Sequence, residues 1–244
     1  MLLAIDIGNT NINLGVFDAR RLILRRAFIS LKRAQARHLG VIVKRYGVKE
    51  AIICSVAPEK TGLLREILNP RLPGSSYMVG RDIKVPLKNF YRRPAQVGQD
   101  RLVNAYAAIE FYGAPLIAID FGTAITFDCV SRRKAYLGGL ILPGLQASLD
   151  ILSMRAALLP KVKLRRPREF IGRDTKSSML AGAVYGFAAS ADILCQRIKD
   201  RLSSQAKVIG TGGNIRLISR YCRCLDVVDE DLTLKGLNLL YRLH

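Results

Sequence analysis

Apolar residues fall in short bursts along this chain, and the bursts keep two rhythms. The opening MLLAIDIGN is an apolar run closed by a glycine, and INLGVFD and RLILRRAFIS follow it closely. Alternation and β-branched content predict strands over 2–7, 12–18 and 21–30, a meander folded at Gly8-Asn9-Thr10. A helix is expected over 32–46, stopped by Gly47, then a buried strand at 50–55 and a helix after Pro58. A short strand at 76–79 leads into a loop rich in Pro and Gly, 80–98. Over 99–112, Leu102, Ala105, Tyr106 and Ile109 recur at helical spacing, and Gly113 ends the run.

The order then restarts. Strands are expected at 115–120, 124–130 and 134–142, and a helix after Pro143. The segment PKVKLRRPREFIG carries two prolines and reads as a loop. A long helix through about residue 202 can be capped by Asp174 or Thr175. The strand AKVIG, the turn Thr211-Gly212-Gly213-Asn214 and a further helix follow, and the tail 232–242 has a helical pattern. The element order β-β-β-α-β-α thus occurs twice. This predicts an α/β fold of two halves, 1–113 and 114–244, each a mixed five-stranded sheet flanked by helices.

Bulk composition narrows the class. The chain has 244 residues, half of them hydrophobic, enough for a substantial core. Apolar runs are broken within about ten residues, well short of the roughly 20 that span a bilayer. The N-terminus has no cationic leader, so a cytoplasmic protein without a membrane segment is expected. The five cysteines (Cys54, Cys129, Cys195, Cys222, Cys224) are scattered, as suits reduced thiols. Cys222 and Cys224 lack a second pair for a zinc site, and two histidines argue against a histidine-based hydrolase. The net charge of +20 attracts anions generally. Its basic residues are spread from Arg20 to Arg223, and no aromatics interleave with them. That reads as a cationic solvated surface rather than a dedicated nucleic-acid site.

The acidic residues are few, so their positions matter more. Asp6 and Asp120 each end an apolar strand, and each opens a turn of the form Asp-x-Gly followed by Thr. Such a turn directs backbone N–H groups into one space, and glycine lets a ligand approach them. Phosphate oxygens suit that geometry, but a carboxylate beside them requires a cation, Mg2+ or a monovalent ion. Two such turns, one per half, predict a grip on a polyphosphate. The turn at Gly210–Asn214 offers a flat glycine surface for a nucleoside. Asp100 starts a helix beside Arg101. It is placed either to complement the helix dipole or to accept a proton from an alcohol in phosphoryl transfer. Arg101 can hold an anionic group on the substrate.

With these residues laid out, the chain resembles the type III pantothenate kinases of the actin-like ATPase superfamily. The resemblance runs nearly end to end. It rests on Asp6–Thr10 (D-x-G-N-T), Gly98–Arg101 (G-x-D-R), Asp120–Thr126 (D-x-G-T-A-x-T), GGLILPGL from Gly138, IGRDT from Ile171, and GTGGN. It implies ATP-dependent phosphorylation of the primary hydroxyl of pantothenate, the first step of coenzyme A synthesis. Carried over by position, Asp6, Ile7, Gly8, Asn9, Thr10, Asn11, Ile12 and Asn13 hold the phosphates of ATP, with Asp6 at its Mg2+. Thr123 touches ATP, and Asp100 is the catalytic base. Gly98, Gln99, Asp100 and Arg101, with Tyr91 and Thr175, hold pantothenate. Asp120 binds K+ or NH4+. The resemblance also implies a homodimer, for which the helix at 175–202 is a plausible interface. The family has a small residue where Gln99 stands, so Gln99 is expected to narrow the pocket. The alternative is a regulatory, nucleic-acid-associated relative of the same fold.

Overall fold

A computed structural model describes residues 1–29 and 33–244. The expected helix start at residue 32 lies outside the described residues. Contacts divide the chain into two units. The first comprises Met1–Leu87, Arg92–Ala107 and Asp231–His244, the second Lys88–Tyr91 and Ala108–Glu230.

The first unit is built on the predicted meander: β1 (Leu2–Ile7), β2 (Ile12–Asp18) and β3 (Arg21–Phe28). The helix α1 (Arg33–Arg45) leads to β4 (Glu50–Ser55). The helix α2 (Pro58–Leu68) leads to β5 (Ser76–Met78). The sheet order is β3-β2-β1-β4-β5. β1 lies antiparallel to β2 and parallel to β4, with Asp6 opposite Asn13 on one side and Cys54 on the other. One face buries Leu3, Ile5, Ile7, Leu14 and Val16 against Leu39, Ile42, Leu64 and Leu68. Each such aliphatic side chain contributes on the order of 1.5–3 kcal/mol when fully buried.

The other face receives Val103 and Tyr106 of α3 (Gln99–Tyr112), whose limits match the helical spacing. It also receives Leu234, Leu237 and Leu240. These belong to α7 (Leu232–Arg242), the final helix, which the sequence reading had grouped with the second half. Its close approach to α3 needs Gly236, where a Cβ would stand 2.8 Å from a methyl of Val103. Leucine spacing specifies a helix, but it does not say which sheet the helix covers.

The second unit repeats the plan. β7 (Leu116–Phe121), β8 (Ala124–Val130) and β9 (Ala135–Pro143) form the meander. β10 (Lys207–Thr211) runs parallel to β7, and β11 (Val227–Val228) parallel to β10. A sixth strand, β6 (Lys88–Asn89), pairs parallel with β9, giving the order β11-β10-β7-β8-β9-β6. The expected five-stranded sheet therefore gains one two-residue strand. That strand comes from a segment whose prolines masked it. Ile117, Ile119, Phe121, Ile125 and Phe127 pack against Val184, Ala188, Ala191 and Cys195 of α5 (Thr175–Leu202). The helix α4 (Leu145–Arg155) precedes it, and the single turn α6 (Ile215–Ile218) follows β10. Asp174, not Thr175, caps α5, accepting the Ser177 amide at 2.9 Å in a capping box. By length and hydropathy α5 could cross a membrane, yet one of its faces is committed to the sheet.

Candidate active site

In the first unit, the site forms where β1 and β4 end side by side. The crevice beyond the carboxyl ends of parallel strands is where open α/β sheets bind ligands. Asp6 accepts a hydrogen bond from Asn13 Nδ2 at 3.2 Å, the partner that strand register puts opposite it. The turn Gly8–Asn11 is closed by Gly8 N–H donating to the Asn11 carbonyl at 2.9 Å. A Cβ at residue 8 would come within 3.2 Å of that carbonyl, so glycine keeps the turn tight. Val56 N–H donates to the Ile7 carbonyl at 3.1 Å, tying the end of β4 to the same turn. Ser55 and Thr61 share a hydroxyl hydrogen bond of 2.6 Å at the start of α2.

Lys60, in the first turn of α2, donates its ammonium to the carbonyls of Gly8 and Asn9. It puts a positive charge on the phosphate-shaped turn. Sequence reasoning passed over it, because one lysine among 39 basic residues carries no signal.

Asp100 reaches the same place from the N-terminus of α3. Its Oδ1 accepts the Arg101 amide at 2.9 Å, and the Gly98 carbonyl accepts that amide at 3.1 Å. A Cβ on Gly98 would collide with Asp100 Oδ1, so glycine at 98 gives the carboxylate its room. Gln99 lays its side chain against Gly80, whose φ of +87° only glycine takes readily.

The electrostatics join these residues. Burial, then the charge of Asp100, then a smaller opposing bond from Asn13, leave the Asp6 carboxyl at about 7. Burial also raises Asp100, while the Arg101 amide and guanidinium oppose the rise. The charge of Asp100 helps hold Asp6 up. Burial and both carboxylates push the Cys54 thiol well above its usual range, so Cys54 is an inert floor. Two carboxylates at one desolvated spot fit a cation between them and the phosphates, which would relieve the repulsion that raises Asp6.

In the second unit, the corresponding turn is one residue tighter. Asp120 lies opposite Thr126, and Phe121 opposite Ile125. Gly122 N–H closes the turn on the Ala124 carbonyl at 3.1 Å, and Gly144 N–H donates to Thr123 at 3.1 Å. Gly212, at φ +99°, backs directly onto Asp120, where a Cβ would strike the carboxylate and the backbone of Phe121. The glycine turn after β10 thus supports the Asp120 turn through Gly212. Asn214 N–H donates to the Phe121 carbonyl at 3.0 Å. Tyr91 takes its place in this unit too, its amide on Asn89 Oδ1 at 2.9 Å and its ring over Gly138. Thr175 is exposed at the start of α5.

The first unit therefore assembles Asp6 to Asn13 with Gly98 to Arg101, and the second carries Tyr91, Asp120, Thr123 and Thr175. Among the described residues no cluster of three or more His, Cys, Asp or Glu forms a metal site by itself.

The chain is similar to known proteins over nearly its whole length. The family model described as type III pantothenate kinase matches residues 2–197. The type III pantothenate kinase of Moorella thermoacetica is 38% identical over 250 residues, covering 99% of this chain and 98% of that one. That of Brevibacillus brevis is 39% identical over 250 residues, with the same coverage. Among solved structures, a Baf family protein from Campylobacter jejuni superposes with a TM-score of 0.62 at 20% identity, covering 99% of this chain and 98% of that one. Component A of (R)-2-hydroxyglutaryl-CoA dehydratase from Acidaminococcus fermentans gives 0.54 at 12%, covering 99% and 96%. At such identities these two speak for the fold alone.

Proposed function

The chain belongs to the type III pantothenate kinases, and from that premise we propose how its residues carry out ATP-dependent phosphorylation of pantothenate, the first step of coenzyme A synthesis. The observation that carries the proposal is the convergence of Asp6 and Asp100 beside the Gly8–Asn11 turn.

In this reading the amides and side chains of Asp6 to Asn13, with Lys60, hold the phosphates of ATP. Asp6 would help hold the Mg2+ that accompanies the nucleotide, which would supply charge neutralisation. Gly98 to Arg101, Tyr91 and Thr175 hold pantothenate, with the Arg101 guanidinium suited to its carboxylate. Asp100 orients the primary hydroxyl and accepts its proton as the phosphoryl group transfers. Thr123 contacts ATP. Asp120, at the turn of the second unit, would bind a monovalent cation such as K+ or NH4+. A cytoplasmic homodimer belongs to the same reading. Exposed Ile141, Met154 and Leu158 in the second unit support it, as does the open face of α5 at Gly182 and Gly186.

The direct test is ADP release by the purified protein, with and without pantothenate, in K+ and then Na+ buffer. Release that needs pantothenate supports the reaction, and release that also needs K+ supports the cation. Turnover indifferent to pantothenate would refute it. Asp120→Ala should abolish the K+ activation while leaving a slow K+-independent rate. An unchanged K+ titration would remove Asp120 from that role.

One observation favours a second reading, association with nucleic acid. Tyr221 lies between Arg220 and Arg223 in sequence, and the fold brings Tyr185 to it beside a second basic run. Arg166, Pro167, Arg168, Tyr185 and Tyr221 line a recess of about 340 Å3. Tyr185 packs edge-on against Tyr221 at 5.0 Å and against Phe170 at 4.7 Å. Guanidiniums beside aromatic faces suit single-stranded nucleic acid. Oligonucleotide binding that weakens steeply with salt and is lost in Arg166→Ala/Arg168→Ala would support this reading, and binding unaffected by those changes would dismiss it.

A further inference from the structure

The most buried carboxylate of the second unit has no role in the reaction as proposed above. Asp128 lies on β8 with 1% of its surface exposed. Burying a carboxylate is costly unless its oxygens are satisfied. Its Oδ1 accepts the hydroxyl of Tyr136 at 2.9 Å, and its Oδ2 accepts the hydroxyl of Thr126 at 3.3 Å. Both hydroxyls aim their protons at the carboxylate. That fixes two rotors at once.

Each rotor belongs to a part of the proposed site. Thr126 is the cross-strand partner of Asp120. Tyr136, fully buried, is the platform for the Tyr91 segment. Asn89 pairs with Tyr136 in the β6–β9 ladder, and Phe90 N–H donates to the Tyr136 carbonyl at 2.9 Å. The Tyr91 ring lies 6.4 Å from the Tyr136 ring, inclined at 45°. The Tyr91 ring also meets Gly138, where a Cβ would stand 3.3 Å from ring carbon Cδ2. Tyr91 thus packs against a glycine and a tyrosine whose hydroxyl is anchored on a buried carboxylate.

We propose that Asp128 is a positioning residue for pantothenate binding: it locks Tyr136, Tyr136 braces Tyr91, and Tyr91 meets the substrate. The inference rests on the reading that Tyr91 contacts pantothenate. It assigns Asp128 no contact with substrate and no part in proton transfer.

The test is a set of single and double variants read by substrate-specific constants. Asp128→Asn keeps the shape but presents an N–H2 to one of the two hydroxyls, which must then turn away. The expected result is a rise in KM for pantothenate on the order of tenfold, as for loss of a buried hydrogen bond. KM for ATP should stay within about twofold. The Kd for pantothenate alone, measured calorimetrically, should rise by the same factor. Tyr136→Phe should act in the same direction, and Asp128→Asn/Tyr136→Phe should be no worse than the more severe single variant, because both cut one link.

Equal weakening of both substrates in Asp128→Asn would mark a merely structural residue and overturn the proposal. Additive single variants would overturn it as well. If Asp128→Asn fails to fold, Tyr136→Phe carries the test alone, and an unchanged pantothenate KM there refutes the bracing. Tyr91→Ala separates the two layers. If it raises pantothenate KM and Asp128→Asn does not, the inference falls and the Tyr91 reading stands. If Tyr91→Ala itself changes nothing, both fall.

Discussion

Asp100→Asn is expected to lower kcat on the order of 10²–10⁴-fold while the KM for ATP barely moves. Asparagine keeps the geometry, since its Oδ1 can still accept the Arg101 amide that Asp100 accepts at 2.9 Å. It also fits the space that Gly98 leaves. What it loses is basicity. The pH profile gives an independent check. Burial raises the Asp100 carboxyl against the opposing Arg101 charge. The wild-type rate therefore climbs with pH through a limb displaced above the usual carboxylate range, and the variant lacks that limb. Near-normal turnover by Asp100→Asn would dismiss it as the base and leave it a helix-terminal acid, its ordinary structural role.

The meanders were legible because sheet physics is local. Alternation in β1, β2, β7 and β8 encodes which face is buried, and the Asp-x-Gly turns gave the ends of β1 and β7 within a residue. The repeat of element order anticipated two sheets with one topology: β3-β2-β1-β4-β5 and β9-β8-β7-β10-β11 run alike. Features set by long-range contacts stayed hidden. β6 is two residues long and exists only because β9 offers an edge. The placement of α7 depends on Gly236 meeting Val103, a contact no periodicity reports.

The candidate site divides the same way. Asp6, Asp100 and Asp120 stood out because carboxylates are rare here and these three sit at chain reversals or helix starts. Lys60 and Asp128 did not. Lys60 matters only because α2 follows a strand parallel to β1, which carries its ammonium to the Gly8 turn. Asp128 reads in sequence as one polar position in an alternating strand. Its meaning comes from Tyr136 on the neighbouring strand.

Asp6→Asn should separate stability from activity. In the cation-free protein Asp6 protonates at about 7, against an ordinary value of 3.8. Between those values the folded chain binds a proton that the unfolded chain releases, so stability falls as pH rises from about 4 to about 7. Above that window the penalty for a buried, repelled charge is fully present, and below it the penalty is absent. Asparagine carries no such charge and can still accept the Asn13 bond. The variant should therefore melt higher than wild type at pH 8 without Mg2+, and at nearly the same temperature near pH 4. Activity should move the other way, with kcat/KM falling on the order of 10²–10³-fold as an electrostatic contact to the transferring phosphates is lost. Mg-ATP should raise the Tm of wild type by mass action and that of the variant far less. Parallel melting profiles across pH for the two proteins would show that Asp6 is not the strained charge. The convergence of Asp6 and Asp100 would then lose its claim to hold the metal of the nucleotide.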